Sequence, residues 1–266
     1  MAASARSRPV LWQLRISHYN EKVRWALDYK RIPHLRRSLL PGLHSAKAKA
    51  LTGDCATTPV LTLDGRSIGD STRIIATIED RWPEPPLYPE DEAELRRALE
   101  LEEFFDEELG PHIRRAAYQQ LIDHPDKLVP LMTDGQPWWT RMLVRGTFPV
   151  LRAGMRRTLE ITPEAAEASR AKTVAAIERL EDEIGPSGYL VGDSFTVADL
   201  TAAALLYPVA QPPEFPYPLV ADPPASAIEY LAPLAQRPGG QWVAEMYRRH
   251  RQIAPEPASA PALVGG

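Results

Sequence analysis

After a leader, Met1 to Pro9, that carries arginines but no apolar core, the chain opens on Val10-Leu11-Trp12-Gln13-Leu14, an apolar run that reads as a buried strand. Behind it Tyr19, Val23, Ala26 and Leu27 recur at three-to-four spacing and predict a helix. Ser17 stands where its N-cap belongs, Glu21 places negative charge in its first turns, and Pro33 ends it. Leu35 to Leu40 reads as a second strand in spite of its two arginines, and His44 to Ala56 as irregular chain. Pro59 to Leu63 and Arg66 to Gly69 flank Asp64-Gly65, the pattern of two antiparallel strands joined by a two-residue turn, with Pro59 at a strand start where no donor is needed. Asp70-Ser71 then precedes Ile74, Ile75 and Ile78 at helical spacing, so the hairpin feeds a further helix.

Pro83-Glu84-Pro85-Pro86-Leu87-Tyr88-Pro89 predicts an extended linker. Beyond it strand character disappears. Leu95, Leu99, Leu101, Phe104, Phe105 and Leu109 have helical spacing, and Gly110-Pro111 is expected to kink or break that helix. Further helices are predicted over 138–159, 164–184, 197–207 and 241–251. The patterns divide the chain into a disordered leader (1–8), a β/α domain (9–83), a linker (84–91), a helical domain (92–253) and a disordered tail (254–266) rich in alanine, proline and glycine.

Composition narrows the chemistry. The 266 residues are 44% hydrophobic and 25% charged, ordinary values for two modest globular domains. No apolar run approaches the ~20 residues of a membrane span. A net charge of -4, with both signs mixed along the chain, leaves no footprint for nucleic acid and no basic stripe for an anionic membrane, so neither is expected as a partner. Without a signal peptide, a cytoplasmic protein is expected. The lone Cys55 excludes an internal disulfide, a CxxC pair and a cysteine-based metal site, and the six histidines show no metal-ligand spacing. Redox chemistry would have to borrow an external thiol. The bias toward arginine, alanine and proline over lysine points to a GC-rich genome.

Four motifs in order, Ser17-His18-Tyr19-Asn20-Glu21-Lys22-Val23-Arg24-Trp25-Ala26-Leu27, Thr58-Pro59-Val60-Leu61, Asp70-Ser71 and Phe195-Thr196-Val197-Ala198-Asp199-Leu200, resemble those of the glutathione transferases across nearly the whole chain. The resemblance implies an α/β plus all-α fold: an amino-terminal thioredoxin-like domain followed by an all-helical carboxy-terminal domain, with the site between them. It implies that Ser17 points its hydroxyl at the sulfur of glutathione. A free thiol titrates near ~8.5, and a hydroxyl donor at the positive end of a helix can lower that by roughly two units, each worth ~1.4 kcal/mol. An N-cap role alone would also account for a serine there. Thr58 and a cis Pro59 would pair with the cysteinyl backbone of glutathione, and Asp70 and Ser71 would hold its γ-glutamyl end. Relatives often carry cysteine at the place of Asn20, and glutaredoxin-like members carry it at the place of Ser17. Both thiols are absent, which argues against a mixed disulfide with the protein.

Thr196 to Asp199 looks like the family's capping box, with a folding role. Trp138-Trp139 and Phe104-Phe105 are candidates for an acceptor pocket or for core, Cys55 for a spectator, and the acidic run Glu102-Glu103, Asp106-Glu107-Glu108 for a solvated face. The expected activity is conjugation of glutathione, a co-substrate rather than a tightly bound cofactor, to a small apolar electrophile by a homodimer. Two alternatives stay open: a non-catalytic binding module of the same fold, and a transferase that uses another low-molecular-weight thiol, since some GC-rich bacteria do not make glutathione.

Overall fold

A computed structural model describes residues 8–252; the expected leader, apart from Arg8, and the expected tail lie outside the described residues. The amino-terminal unit runs β1 (Val10–Gln13), α1 (His18–Tyr29), β2 (Leu35–Ser38), α2 (His44–Thr52), β3 (Val60–Leu63), β4 (Arg66–Gly69) and α3 (Ser71–Arg81). The four strands form one sheet in the order β2-β1-β3-β4, with β1 parallel to β2 and antiparallel to β3, and β3 antiparallel to β4. This is the thioredoxin-like arrangement of a βαβ unit followed by a hairpin and a helix. Leu11 and Leu61, partners across β1 and β3, pack with Val23, Ala26 and Leu27 of α1 and Ile74, Ile75 and Ile78 of α3 into a core without exposed surface.

The region from His44 to Ala56, expected to be irregular, instead holds α2. Its alanines and lysines leave little apolar stripe for periodicity to detect, and only Ala48 of this helix is buried. The linker from Trp82 to Asp91 has no regular helix or strand and contains a cis Glu84–Pro85 bond. It is fixed to the first unit by Lys30, whose Nζ donates to the carbonyls of Trp82 and Pro85 at 2.7 Å each and pairs with Glu79 at 2.7 Å.

The second unit is helical: α4 (Glu92–Phe104), a π segment (Phe105–Leu109), α5 (Gly110–Leu121), α6 (Pro125–Met132), α7 (Trp138–Thr158), α8 (Pro163–Glu183), α9 (Val197–Leu205), α10 (Tyr207–Ala210), α11 (Ala225–Gln236) and α12 (Pro238–His250). The break expected at Gly110-Pro111 is displaced upstream. The chain widens into the π segment first, and Pro111 falls in the opening turn of α5, where its missing N–H costs nothing. The helices α6 and α11 were not apparent in the periodicity; each contains an internal proline.

The capping box forms as expected. Thr196 Oγ1 caps Ala198, while Asp199 accepts from the Thr196 amide and hydroxyl at 2.9 Å each and from the Leu190 amide at 2.9 Å. Burial raises the Asp199 carboxyl from 3.8 to about 6, against those hydrogen bonds. The folded protein thus retains a proton that the unfolded chain releases, and this group's contribution to stability falls as pH rises from 3.8 to about 6. Asp199→Ala strands buried donors and is expected to lower stability by roughly 2–4 kcal/mol at neutral pH and to remove that fall. Urea unfolding followed across the pH range checks both.

Candidate functional site

The turn between β1 and α1 carries Ser17. Its backbone N–H donates to the Leu14 carbonyl at 3.1 Å, and its Oγ, as the N-cap of α1, accepts from the Asn20 amide at 3.4 Å. Asn20 has no exposed surface and ties three strands of chain together: its Oδ1 accepts from the Leu14 amide at 3.4 Å, and its Nδ2 donates to Thr58 Oγ1 at 3.2 Å. Thr58–Pro59 is a cis peptide at the start of β3. Ser17 and Thr58 therefore both act as acceptors toward Asn20, which leaves both hydroxyl hydrogens free to donate elsewhere.

The turn is held from behind by Arg24, also without exposed surface. Its guanidinium donates to the carbonyls of Arg15 and Ser17 at 3.1 and 3.4 Å and to Gln13 Oε1 at 2.9 Å, and pairs with Glu21 at 2.7 Å. Arg251, beyond α12, pairs with Glu21 at 2.6 Å and with Asp28 at 2.8 Å, and Arg36 of β2 pairs with Asp28 at 2.6 Å. Burial works against the charge on Glu21, yet Arg251 and Arg24 hold its carboxyl below the usual range.

On the other side of α1 lies a cleft of about 560 Å³ lined by Thr57, Thr58, Pro59, Asp70, Ser71 and Thr72 from the first unit. Leu99, Glu102, Glu103, Asp106, Glu107 and Arg114 line it from the second unit, with Tyr19 of α1 between. Asp70, at φ 75°, caps α3 by accepting from the Arg73 amide at 3.0 Å. The amides of Ser71 and Thr72 have no protein acceptor among the described residues, so they present the positive end of α3 to the cleft. Beneath it Lys22 Nζ pairs with Glu102 at 2.8 Å and Asp106 at 2.5 Å, and donates to Thr72 Oγ1 at 3.2 Å. Burial opposes the lysine's charge, but the two carboxylates hold its pKa above the usual value. Burial, partly offset by Lys22, raises Glu102. Tyr19 donates to the Asp106 carbonyl at 2.6 Å. Its hydroxyl reaches there because Gly110 leaves room: a Cβ on Gly110 would stand 2.0 Å from that oxygen.

A second, apolar chamber opens where Ile16, Tyr118, Leu121, Phe215, Leu219 and Leu231 meet. Arg114 lines both spaces. His18 lines the chamber with 4% of its surface exposed, and its Nε2 has no hydrogen-bond partner. Burial, then the Arg114 guanidinium, pushes the imidazole down to about 3, against a hydrogen bond that the ring donates to the Gly110 backbone. The ring is neutral at physiological pH and uncharged in an apolar wall.

Residues 11–86 match the family described as glutathione S-transferase, N-terminal domain, and residues 163–227 the one described as glutathione S-transferase, C-terminal domain. The chain belongs to the glutathione S-transferase family. Among solved structures, a glutathione S-transferase from Pseudomonas fluorescens Pf-5 is 18% identical, covering 93% of this chain and 98% of its own, with a TM-score of 0.62. Beta-etherase LigF from Sphingobium sp. strain SYK-6 is also 18% identical, over 90% of this chain and 99% of its own, with a TM-score of 0.57. A glutathione S-transferase from Methylobacterium radiotolerans JCM 2831, in complex with glutathione sulfonate, is 20% identical over 88% and 93% at a TM-score of 0.53. At such identities the likeness speaks for the fold. No curated protein matches the chain.

Within this glutathione S-transferase fold, four of the five expected site residues, Thr58, Pro59, Asp70 and Ser71, line one cleft. Ser17 lines neither space; its neighbours Ile16 and His18 face the chamber and Tyr19 faces the cleft. Cys55 lies beside the cleft, its thiol 3.3 Å from Thr57 Oγ1. The acidic run is not a solvated face throughout: Glu102 and Asp106 are buried against Lys22, while Glu103, Glu107 and Glu108 are exposed. Phe105 belongs to the core, and Trp138 and Trp139 to neither core nor pocket, being 77% and 48% exposed. Lys22, Arg24 and Arg114 were missed as site-forming residues. The available signal was that charged residues occupy every face of a helix expected to have a single polar one. Lys22→Met leaves two buried carboxylates without their cation and is expected to cost about 3–5 kcal/mol, part of which is recovered by adding Glu102→Gln. Thermal and urea unfolding of the three proteins check this.

Proposed function

We propose that the protein is a glutathione transferase-like enzyme that binds the tripeptide in the cleft and activates its thiol for attack on an apolar electrophile held in the chamber. The observation that carries this reading is the convergence of Thr58, cis Pro59, Asp70 and Ser71 on one cleft, with two free amides at the head of α3. The Thr58–Pro59 backbone would pair with the cysteinyl unit, and the Ser71 and Thr72 amides would take the γ-glutamyl carboxylate while Asp70 faces its ammonium. Ser17 would donate its hydroxyl hydrogen to the sulfur, with Thr58 as a second donor oriented by the same asparagine. Arg114, common to cleft and chamber, would face the negative charge that moves from sulfur to acceptor. The thiolate stays non-covalent toward the protein, glutathione is a co-substrate, and the reading includes a cytoplasmic homodimer that detoxifies small electrophiles.

A second reading keeps the fold and the site but changes the thiol. Five carboxylates line the cleft against the guanidinium of Arg114 and the Lys22 ammonium that pairs Glu102 and Asp106 from beneath, a surplus of negative charge unfavourable to a ligand that itself carries two carboxylates. A low-molecular-weight thiol with fewer acidic groups would fit that charge better.

One measurement tests the site common to both readings and a second separates them. Ser17→Ala is expected to lower kcat/KM for conjugation about 10–100-fold near neutral pH, the effect of one to two pKa units on the bound thiol, with little change in thiol affinity. Equal activity of the two proteins would remove Ser17 from the mechanism, and thiol binding without turnover across an electrophile panel would leave a non-catalytic binding module. Mass spectrometry of thiols that co-purify with the protein from its native host identifies which one the cleft selects; glutathione is the first reading's outcome and a less acidic thiol the second's.

A further inference from the structure

The helix α7 lies in the stretch between the two family matches, and most of its surface is uncovered. One face, with Val144, Phe148, Leu151 and Met155, packs on Leu128, Val129 and Met132 of α6. The opposite face presents large apolar side chains to solvent: Trp138 and Val150 are 77% exposed, Met142 66% and Leu143 56%. A Cβ added at Gly146 or Gly154 would meet no atom within 4 Å. Isolated exposed apolar residues are common on protein surfaces, but several large ones along one face over about three and a half turns are not.

Charge marks the same helix. Arg141, Arg145, Arg152 and Arg156 follow one another at spacings of four, seven and four, which aligns them as a stripe along one edge of the apolar face. No acidic residue occurs from Gly135 to Leu159. Arg152 and Arg156 share Asp123 at 3.1 and 2.7 Å, whereas Arg141 and Arg145 have no acidic partner among the described residues. Arginines that look evenly mixed with acids along the sequence are thus sorted by the helix into a basic edge. No helix of the described residues is long and apolar enough to cross a membrane.

We propose that α7 is a docking helix for an anionic lipid surface, lying in the plane of the bilayer with Trp138, Met142, Leu143 and Val150 in the headgroup region and Arg141 and Arg145 on lipid phosphates. An exposed tryptophan-bearing face flanked by arginines is the composition that suits the boundary between headgroups and acyl chains. The charge argues against a second copy that sets this helix on its own equivalent. Two α7 helices paired about a two-fold axis would bring arginine stripes together with no acid on either helix to receive them.

The test uses the full chain and vesicles of phosphatidylcholine alone or mixed with phosphatidylserine. Co-sedimentation and a blue shift of tryptophan emission are expected with the mixed vesicles only, weakening as salt rises. The pair Arg141→Glu and Arg145→Glu is expected to weaken vesicle binding at least 10-fold. Trp138→Ser with Met142→Ser is expected to weaken it through loss of insertion rather than charge, and all four positions are exposed, so far-UV circular dichroism should be unchanged. No binding to the mixed vesicles at low salt would overturn the proposal. So would equal binding by both variant proteins, a dimer dissolved by the Trp138 and Met142 changes, or retention on nucleic acid in preference to vesicles through the same arginines.

Discussion

The site rests on a buried ion network built around α1. A helix in this central position would ordinarily be apolar on most sides, yet Glu21, Lys22, Arg24 and Asp28 are all buried and all paired. A buried charge is tolerated only with its partners in place, and breaking one such pair typically costs ~3–5 kcal/mol. The elements that carry the partners are therefore held in one arrangement around α1: the β1–α1 turn, β2, α3, α4 and the segment after α12. Ion pairs on opposite faces of α1 add fixed partners to the packing of Val23, Trp25, Ala26 and Leu27 and so hold both its position and its rotation.

The two halves of the network act on different parts of the site. Arg24, backed by Glu21 and Arg251, fixes the carbonyls of the turn and with them the direction of the Ser17 hydroxyl. Lys22, through Glu102, Asp106 and Thr72, draws α4 and the head of α3 together and sets the width of the cleft. The π segment belongs to the same construction, since it delivers Asp106 to Lys22 and its carbonyl to Tyr19. Irregular helix geometry of this kind recurs at functional sites because it turns a side chain or a carbonyl to a place that a regular helix would miss.

Much of this was legible in the sequence where the cause is local. The Asp64-Gly65 hairpin, the Thr196–Asp199 capping box, Ser17 at a helix head and Asp70-Ser71 at the next depend on a few adjacent residues, and each stands where the pattern places it. What escaped depends on distant partners or on weak amphipathicity. The burial of Glu102 and Asp106 follows from Lys22, some 80 residues earlier, so on their own they look like solvent-facing acids. Arg114 gains meaning only where cleft and chamber meet. Asn20, conspicuous in the sequence as a missing thiol, proves to be the residue that orients two hydroxyls at once. The helix α2 was lost for the opposite reason: it buries so little that it leaves almost no periodic trace.

The reach of Arg251 has a consequence for how the molecule is made. The thioredoxin-like unit emerges first from the ribosome with Arg24 to pair Glu21 and Arg36 to pair Asp28, but the second cation that bridges these two carboxylates is absent until the chain beyond α12 has been synthesised. Until then Arg24 shares its guanidinium between Glu21 and the carbonyls of the turn without Arg251 to hold the carboxylate in position. The turn that carries Ser17, encoded in the first tenth of the chain, is thus backed by one of its last described residues, and a chain that stops short of Arg251 would carry the motif without that support.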